Sequence, residues 1–185
     1  MKATSFLLII PFFGLSSLSV AQNEQVLRGN QITESALIQA LTPAPELNED
    51  SIRTRSIRVA PANEPRPASP KQAKASLLIT FETNSAALTP RAKQSLDVVA
   101  QALASDKLAN FRFAIQGHAD PRGDSESNLR LSQLRAESVR QYLVQNNNIE
   151  DRRLEAVGRG DKELLNTSNP IAPENRRVTI VNLVQ

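Results

Sequence analysis

The chain has no cysteine and no tryptophan among its 185 residues, and it has a single histidine. Without cysteine there is no disulfide and no thiolate ligand or nucleophile, so the fold must be stabilised by its hydrophobic core. One histidine leaves little material for a zinc site or a Ser-His-Asp triad. We therefore expect neither a metal nor a cofactor.

Aromatic residues and excess charge are also scarce. Phe, Trp and Tyr make up 4% of the chain, which is too little for a platform on which the bases of a single strand could stack. The net charge is +3, and residues 76–185 contain 14 basic and 13 acidic side chains. This balance gives no large positive field, so we expect no nucleic-acid partner.

The N-terminus has the pattern of a secretory signal peptide. Lys2 is followed by an apolar run at 5–15, and Ser19 and Ala21 stand at the −3 and −1 positions of a cleavage site. The run is far shorter than the ~20 residues of a membrane-spanning helix. We therefore expect residues 1–21 to be removed, so that the mature protein begins at Gln22.

Composition divides the remaining chain into an arm, a linker and a domain. Six of the eleven prolines lie between positions 43 and 70, and residues 61–75 contain few apolar side chains. Such a segment cannot bury enough surface to fold alone. The sequence therefore predicts an N-terminal arm at 22–60, a proline-rich linker at 61–75 and a domain at 76–185 that folds without the arm.

Within the arm, Thr33 is placed to cap a short helix over Glu34–Leu41. A helix of this length is marginal by itself. Leu37, Ile38 and Leu41 could form a small apolar docking face for a partner, or the helix could simply lie against the domain or in solvent.

The domain sequence predicts two layers of secondary structure. Alternating or continuous apolar runs predict strands, and apolar residues at spacings of three and four predict helices. Thr89 supplies a capping hydroxyl, and Pro90 is favoured at the first position of a helix, so a helix is predicted to start there. The order β-α-β-α-β-β indicates an α+β two-layer sandwich, with the helices on one face of a four-stranded sheet. The predicted strands are 77–81, 111–116, 153–157 and 177–183, and the predicted helices start at 90 and span 127–145.

One loop and the helix after it contain the residues best suited to bind a ligand. Asp120 follows the second strand in a tight loop, and Asn128 and Arg135 share one face of the next helix. The carboxylate of Asp120 could approach the start of that helix, which also attracts anions. One fixed negative group and one guanidinium fork across a small pocket would suit a zwitterion.

Two other interpretations of these residues remain open. Asp120 and Arg135 could pair with each other as a structural salt bridge on the surface. An enzyme would start from His118, Asp120 and Glu126 as acid–base groups, or from a pair of carboxylates of the kind that glycosidases use.

The order of short motifs between Phe81 and Val178 resembles the OmpA-like C-terminal domain family. The motifs cover nearly all of the predicted domain and come in the order and spacing of the family. They are F-x-x-N-S-x-x-L from 81, GH-x-D-x-x-G from 117, N-x-x-L-S-x-x-R-A from 128, V-G-x-G from 157 and N-R-R-V from 175.

The resemblance implies a mixed sheet and a non-enzymatic function in the periplasm, with association to the outer membrane left open. It implies that the domain binds peptidoglycan through the diaminopimelate of the stem peptide. Asp120 would take the ammonium group and Arg135 the carboxylate, with Asn128, Asn84 and Arg176 as neighbours in the site. It also suggests a stand-alone soluble member, since the sequence has no cysteine to accept a lipid. The alternative is an adaptor whose N-terminal arm docks an envelope protein.

Overall fold

The computed structural model describes residues 26–43, 72–82 and 85–183 of the chain. The predicted signal peptide (1–21) and most of the predicted linker (61–75) lie outside these residues, as does Asn84. The predictions for these two segments therefore stay predictions.

Each of the three α-helices in the described residues is preceded by a capping residue whose side chain accepts a hydrogen bond from a backbone amide. The side chains of Thr33, Thr89 and Asp124 accept from the amide three residues further on, at 3.3, 3.2 and 2.8 Å. None of the helices in this part of the chain combines the length and apolarity needed to cross a bilayer. The helices are α1 (Glu34–Leu41), α2 (Pro90–Ala104) and α3 (Ser125–Asn147).

The predicted bounds of α1 and the predicted start of α2 are confirmed. Helix α3 is two residues longer at each end than the predicted 127–145. It begins earlier because Asp124 caps it. Its last residue is Asn147, and the C-cap residue Asn148 takes the left-handed conformation with a φ of 55° and donates its N–H to the carbonyl of Leu143.

The sheet is mixed, as predicted, and it has five strands in the described residues where four were predicted. The strand order is β1-β2-β5-β3-β4, with β1–β2 and β3–β4 parallel and the other two pairs antiparallel. The additional strand belongs to the N-terminal arm. The strands are β1 (Val26–Leu27), β2 (Lys74–Leu77), β3 (Arg112–His118), β4 (Leu154–Gly160) and β5 (Val178–Leu183).

Strand β2 lies earlier than the predicted first strand at 77–81. Leu77 pairs with Val178, the first residue of β5, so no antiparallel partner remains on β5 beyond Leu77. The apolar residues that follow pack without joining the ladder, and Ile79 is buried there. Strand β2 also begins at Lys74, so it takes two residues from the predicted linker at 61–75 and precedes the predicted domain start at 76.

The core lies between the helices and one face of the sheet. Phe113 and Ile115 of β3 alternate toward this face, as predicted, and Ile180 of β5 pairs with Ile115. The helical stripes complete the core with side chains that expose almost no surface. These are Ala92, Leu96, Val99 and Leu103 on α2, and Ala136, Val139 and Leu143 on α3.

Helix α1 of the arm belongs to the same core. Leu37 and Leu41 have no exposed surface, and Ile38 packs against the cluster. The buried side chain of Asn182 on β5 donates a hydrogen bond to the carbonyl of Leu41 at 2.8 Å. The apolar face considered for docking a partner is therefore used within the domain.

Candidate ligand-binding site

A cavity of about 230 Å³ opens beside the end of β3, where α3 and the segment before β5 meet the residues that follow β2. Leu78, Ile79 and Val178 give it an apolar wall. Arg135 and Arg176 give it positive charge. The site thus joins hydrophobic surface to guanidinium groups, which is typical of a site that orients a ligand by a few polar contacts.

Helix α3 lies very close to the sheet because β3 and β4 contribute glycines under it. A Cβ on Gly117 would overlap the carbonyl oxygen of Ser132, and a Cβ on Gly158 would come within 2.8 Å of the backbone of α3. The hydroxyl of Ser132 accepts a hydrogen bond from the N–H of Gly160 at 2.9 Å. These contacts fix the position of α3 one turn before Arg135.

Arg135 is held over the ring of Phe81. Its guanidinium carbon lies 5.0 Å from the ring centroid, within cation–π range, and its Nε donates to the carbonyl of Ser85 at 3.2 Å. Burial lowers the pKa of Arg135, and the positive charge of Arg176 lowers it further. Among the described residues, the two terminal nitrogens of Arg135 have no hydrogen-bond partner, so they can donate to a ligand.

Asp120 lies next to this cavity as a buried carboxylate that is 5% exposed. It accepts hydrogen bonds from the backbone N–H of Arg122 at 3.2 Å, from Nη2 of Arg122 at 2.8 Å and from Nη1 of Arg176 at 2.6 Å. Burial raises the pKa of Asp120, but the hydrogen bonds from the two arginines outweigh it and lower the pKa to about 2. The group is therefore an anion at neutral pH.

Asp120 is not paired with Arg135 as the structural salt-bridge hypothesis supposed. Its ion-pair partners in the described residues are Arg122 and Arg176. Arg176 both lines the cavity and binds Asp120. The charge of Asp120 nevertheless acts to raise the pKa of Arg135, so the two groups lie in one electrostatic site.

Asn128 supports the loop from behind. Its side-chain amide donates to the backbone carbonyl of Asp120 at 3.2 Å and to the carboxylate of Asp161 at 3.3 Å. The hydrogen bonds of the Asp120 carboxylate in the described residues go to Arg122 and Arg176 and not to the start of α3, where Asp124 is the cap. Asn84 lies outside the described residues, so its predicted place in the site stays a prediction.

Sequence reasoning missed Arg122 as a partner of Asp120, although a local signal was present. An Asp side chain in a turn commonly accepts from the amide two residues on, and Asp120 does so with Arg122. The left-handed φ of 100° at Gly123 belongs to the same turn. Phe81 was recognised as part of a motif, but its contact with Arg135 needed the fold.

Comparison with known proteins identifies the family of this domain. The model of the OmpA family matches residues 80–177, which contain Asp120, Arg135 and Arg176. The chain belongs to the OmpA family. The resemblance of the motifs between 81 and 178 is thereby confirmed.

Curated relatives of this OmpA-family chain include two peptidoglycan-associated lipoproteins. The protein from Rhizobium meliloti (strain 1021) is 35% identical over 105 residues, which are 56% of this chain and 58% of that protein. The protein from Pseudomonas putida is 35% identical over 102 residues, 54% of this chain and 59% of that protein. The chain thus matches less than two thirds of the length of these relatives.

Two solved structures are similar in fold to this chain. The cell wall anchor of the type VI secretion system (T6SS) from Pseudomonas aeruginosa has 25% identity and a TM-score of 0.52, covering 63% of this chain and 85% of that one. The OmpA-like domain of FopA1 from Francisella tularensis has 18% identity and a TM-score of 0.51, covering 60% and 71%. The second likeness concerns the fold alone.

Proposed function

We propose that this chain binds peptidoglycan non-covalently and holds itself, or a partner, on the cell wall. Membership of the OmpA family, relatives that are peptidoglycan-associated lipoproteins and the likeness to a cell wall anchor all support this function. The observation that carries the proposal is the guanidinium of Arg135, which is held in an open cavity with its terminal nitrogens unused among the described residues.

The ligand of this site is the diaminopimelate of the stem peptide. Its carboxylate accepts two parallel hydrogen bonds from Arg135, a geometry that a guanidinium offers and a lysine does not. Its ammonium binds Asp120, which stays ionised because its pKa is about 2. The methylene chain that joins these two charged groups to the rest of the stem peptide lies against the apolar wall formed by Leu78, Ile79 and Val178.

Co-sedimentation of the purified protein with isolated sacculi tests this assignment. Arg135→Ala should abolish measurable binding, since a desolvated charge left without its partner typically costs about 2–5 kcal/mol. Arg135→Lys should fail as well, because a point charge cannot replace the fork. Arg130→Ala is the matched control: Arg130 is exposed on the same helix, and its loss should leave binding unchanged.

A change in the ligand provides the reciprocal test. Amidation of the diaminopimelate carboxylate removes the partner of Arg135 and should weaken binding to the wild-type protein at least about tenfold, the equivalent of 1.4 kcal/mol. Free diaminopimelate should compete with sacculi for the site on the protein and reduce co-sedimentation. Full binding by correctly folded Arg135→Ala protein, checked by circular dichroism, would refute the assignment.

The proposed function includes no catalytic step. A carboxyl group whose pKa is about 2 cannot exchange protons efficiently near neutral pH, so Asp120 is unsuited to general acid–base work there. The adaptor alternative loses its proposed docking face, because Leu37 and Leu41 are buried in the domain.

We place the mature protein in the periplasm, where peptidoglycan is accessible. This proposal rests on the predicted removal of residues 1–21. The intact mass of protein recovered from the periplasmic fraction should correspond to a chain that begins at Gln22. A full-length species retained in the inner membrane would contradict it.

A further inference from the structure

The carboxylate of Asp120 already has a nearly complete set of donors without any ligand. Arg122 binds it through its backbone N–H, through Nε at 3.1 and 3.2 Å and through Nη2 at 2.8 Å. Arg176 adds a bond at 2.6 Å. Two carboxylate oxygens offer about four acceptor positions, so an incoming ammonium finds no free place.

The two arginines differ in how firmly they are held. Arg176 also donates to the carbonyl of Ile171 at 3.3 Å, and its side chain is 39% exposed. The side chain of Arg122 is 61% exposed, and Asp120 is its sole partner among the described residues. The guanidinium of Arg122 is therefore the donor that can leave at least cost, while its backbone N–H stays on Asp120.

We propose that the guanidinium of Arg122 is an intramolecular competitor that occupies the ammonium position on Asp120 and must be displaced when the ligand binds. This inference rests on the proposed function, because it concerns the same site. Arg122 then sets both affinity and selectivity. A ligand that brings only an amine exchanges one cation for another and gains little, whereas a ligand that also brings a carboxylate for Arg135 gains a new contact.

The size of the change in affinity depends on the fraction of molecules in which the Asp120 carboxylate is free of the Arg122 guanidinium. If Arg122 covers Asp120 most of the time, the apparent affinity is the intrinsic affinity multiplied by the fraction in which Asp120 is free. A partly exposed bidentate pair favours the covered state modestly. Removing the competitor should therefore strengthen binding roughly three- to tenfold.

The test is titration of the full-length mature chain with a soluble muropeptide that contains diaminopimelate. Arg122→Gln removes the cation but keeps the backbone N–H, so its affinity should rise roughly three- to tenfold. Arg122→Lys keeps the charge without the fork and should give a smaller rise. Arg130→Gln makes the same change in net charge at an exposed position of α3 and should give no rise.

The outcomes separate this inference from the function on which it rests. If Arg122→Gln binds the muropeptide as the wild type does or more weakly, while Arg135→Ala still abolishes binding, Arg122 is a bystander or a ligand contact and the inference is overturned. If the wild type does not bind the muropeptide, the proposed function fails. Chemical denaturation of each variant shows whether it is folded, and should Arg122→Gln fail to fold, the comparison of Arg122→Lys with the wild type decides.

Discussion

Replacing Leu37 by alanine tests whether the N-terminal arm is a working part of the domain. Leu37 lies on α1, has no exposed surface and belongs to the core cluster that includes α2 and the sheet. A helix of eight residues is marginal alone, so α1 is held in place by this packing. The substitution should therefore destabilise the whole domain, although it lies outside the residues that match the family model.

The expected loss in the free energy of unfolding can be estimated from buried leucines in other proteins. Truncating a fully buried leucine to alanine costs about 2–5 kcal/mol, since both the transfer of the side chain and the cavity left behind count. The whole stability of a domain is about 5–15 kcal/mol, so the loss is a large fraction of it. In a chain of this size, the melting temperature should fall on the order of 10 °C. Leu41→Ala should act similarly, and the two losses should not add, because the side chains share one cluster.

Urea denaturation followed by circular dichroism measures the free energy of unfolding directly. Leu134→Ala is the matched control, because it makes the same chemical change on α3 at a side chain that is 44% exposed, and it should cost less than about 1 kcal/mol. A Leu37→Ala protein whose free energy of unfolding matches that of Leu134→Ala would show that α1 does not pack on the domain in solution.

Three further predictions follow from the same contacts. A chain that lacks residues 22–73 should unfold at a lower urea concentration than the full mature chain, because it loses β1 and the buried leucines of α1. Gly117→Ala should cost at least about 1–3 kcal/mol and weaken sacculus binding, since its Cβ would push α3 and Arg135 away from the sheet; circular dichroism and co-sedimentation measure the two effects. The lowered pKa of Asp120 contributes about 2 kcal/mol to the free energy of unfolding. This contribution is present above about pH 4 and is lost as the pH falls toward 2. In urea denaturation, the difference in the free energy of unfolding between the wild type and Asp120→Asn should therefore shrink over this pH range.

The sequence predicted best those features that depend on near neighbours along the chain. The starts of α1 and α2 were predicted correctly because the Thr33 and Thr89 hydroxyls accept hydrogen bonds from amides three residues away. The buried stripe of α2 likewise depends on the helical period alone.

Features that depend on distant partners could not be predicted in this way. The position of β2 follows from its pairing with β5, about a hundred residues later, and the apolar run at 77–81 contains no trace of that partner. Strand β1 is two residues long and exists because β2 lies beside it. The burial of α1 also depends on surfaces that α2 and β5 contribute from far along the chain. Composition alone does not reveal these surfaces, and it therefore suggested a separable arm.

The candidate site was likewise predicted only in part. The resemblance named Asp120, Arg135 and Arg176, and the fold brings these three charges into one site. Which carboxylate pairs with which arginine is decided by the turn at Asp120, and that pairing leaves Arg135 without an anionic partner among the described residues.

This distribution of charge indicates how the two ends of a zwitterionic ligand would contribute. Arg135 is buried beside a second guanidinium, that of Arg176, and both influences lower its pKa, which means that its charged form is less favourable there than in water. A ligand carboxylate relieves this cost without displacing any group of the protein. An ammonium at Asp120 must instead replace a donor that is already in place. The carboxylate end should therefore supply most of the binding free energy, whereas the ammonium end should add little, because its contact with Asp120 replaces one that Arg122 already makes.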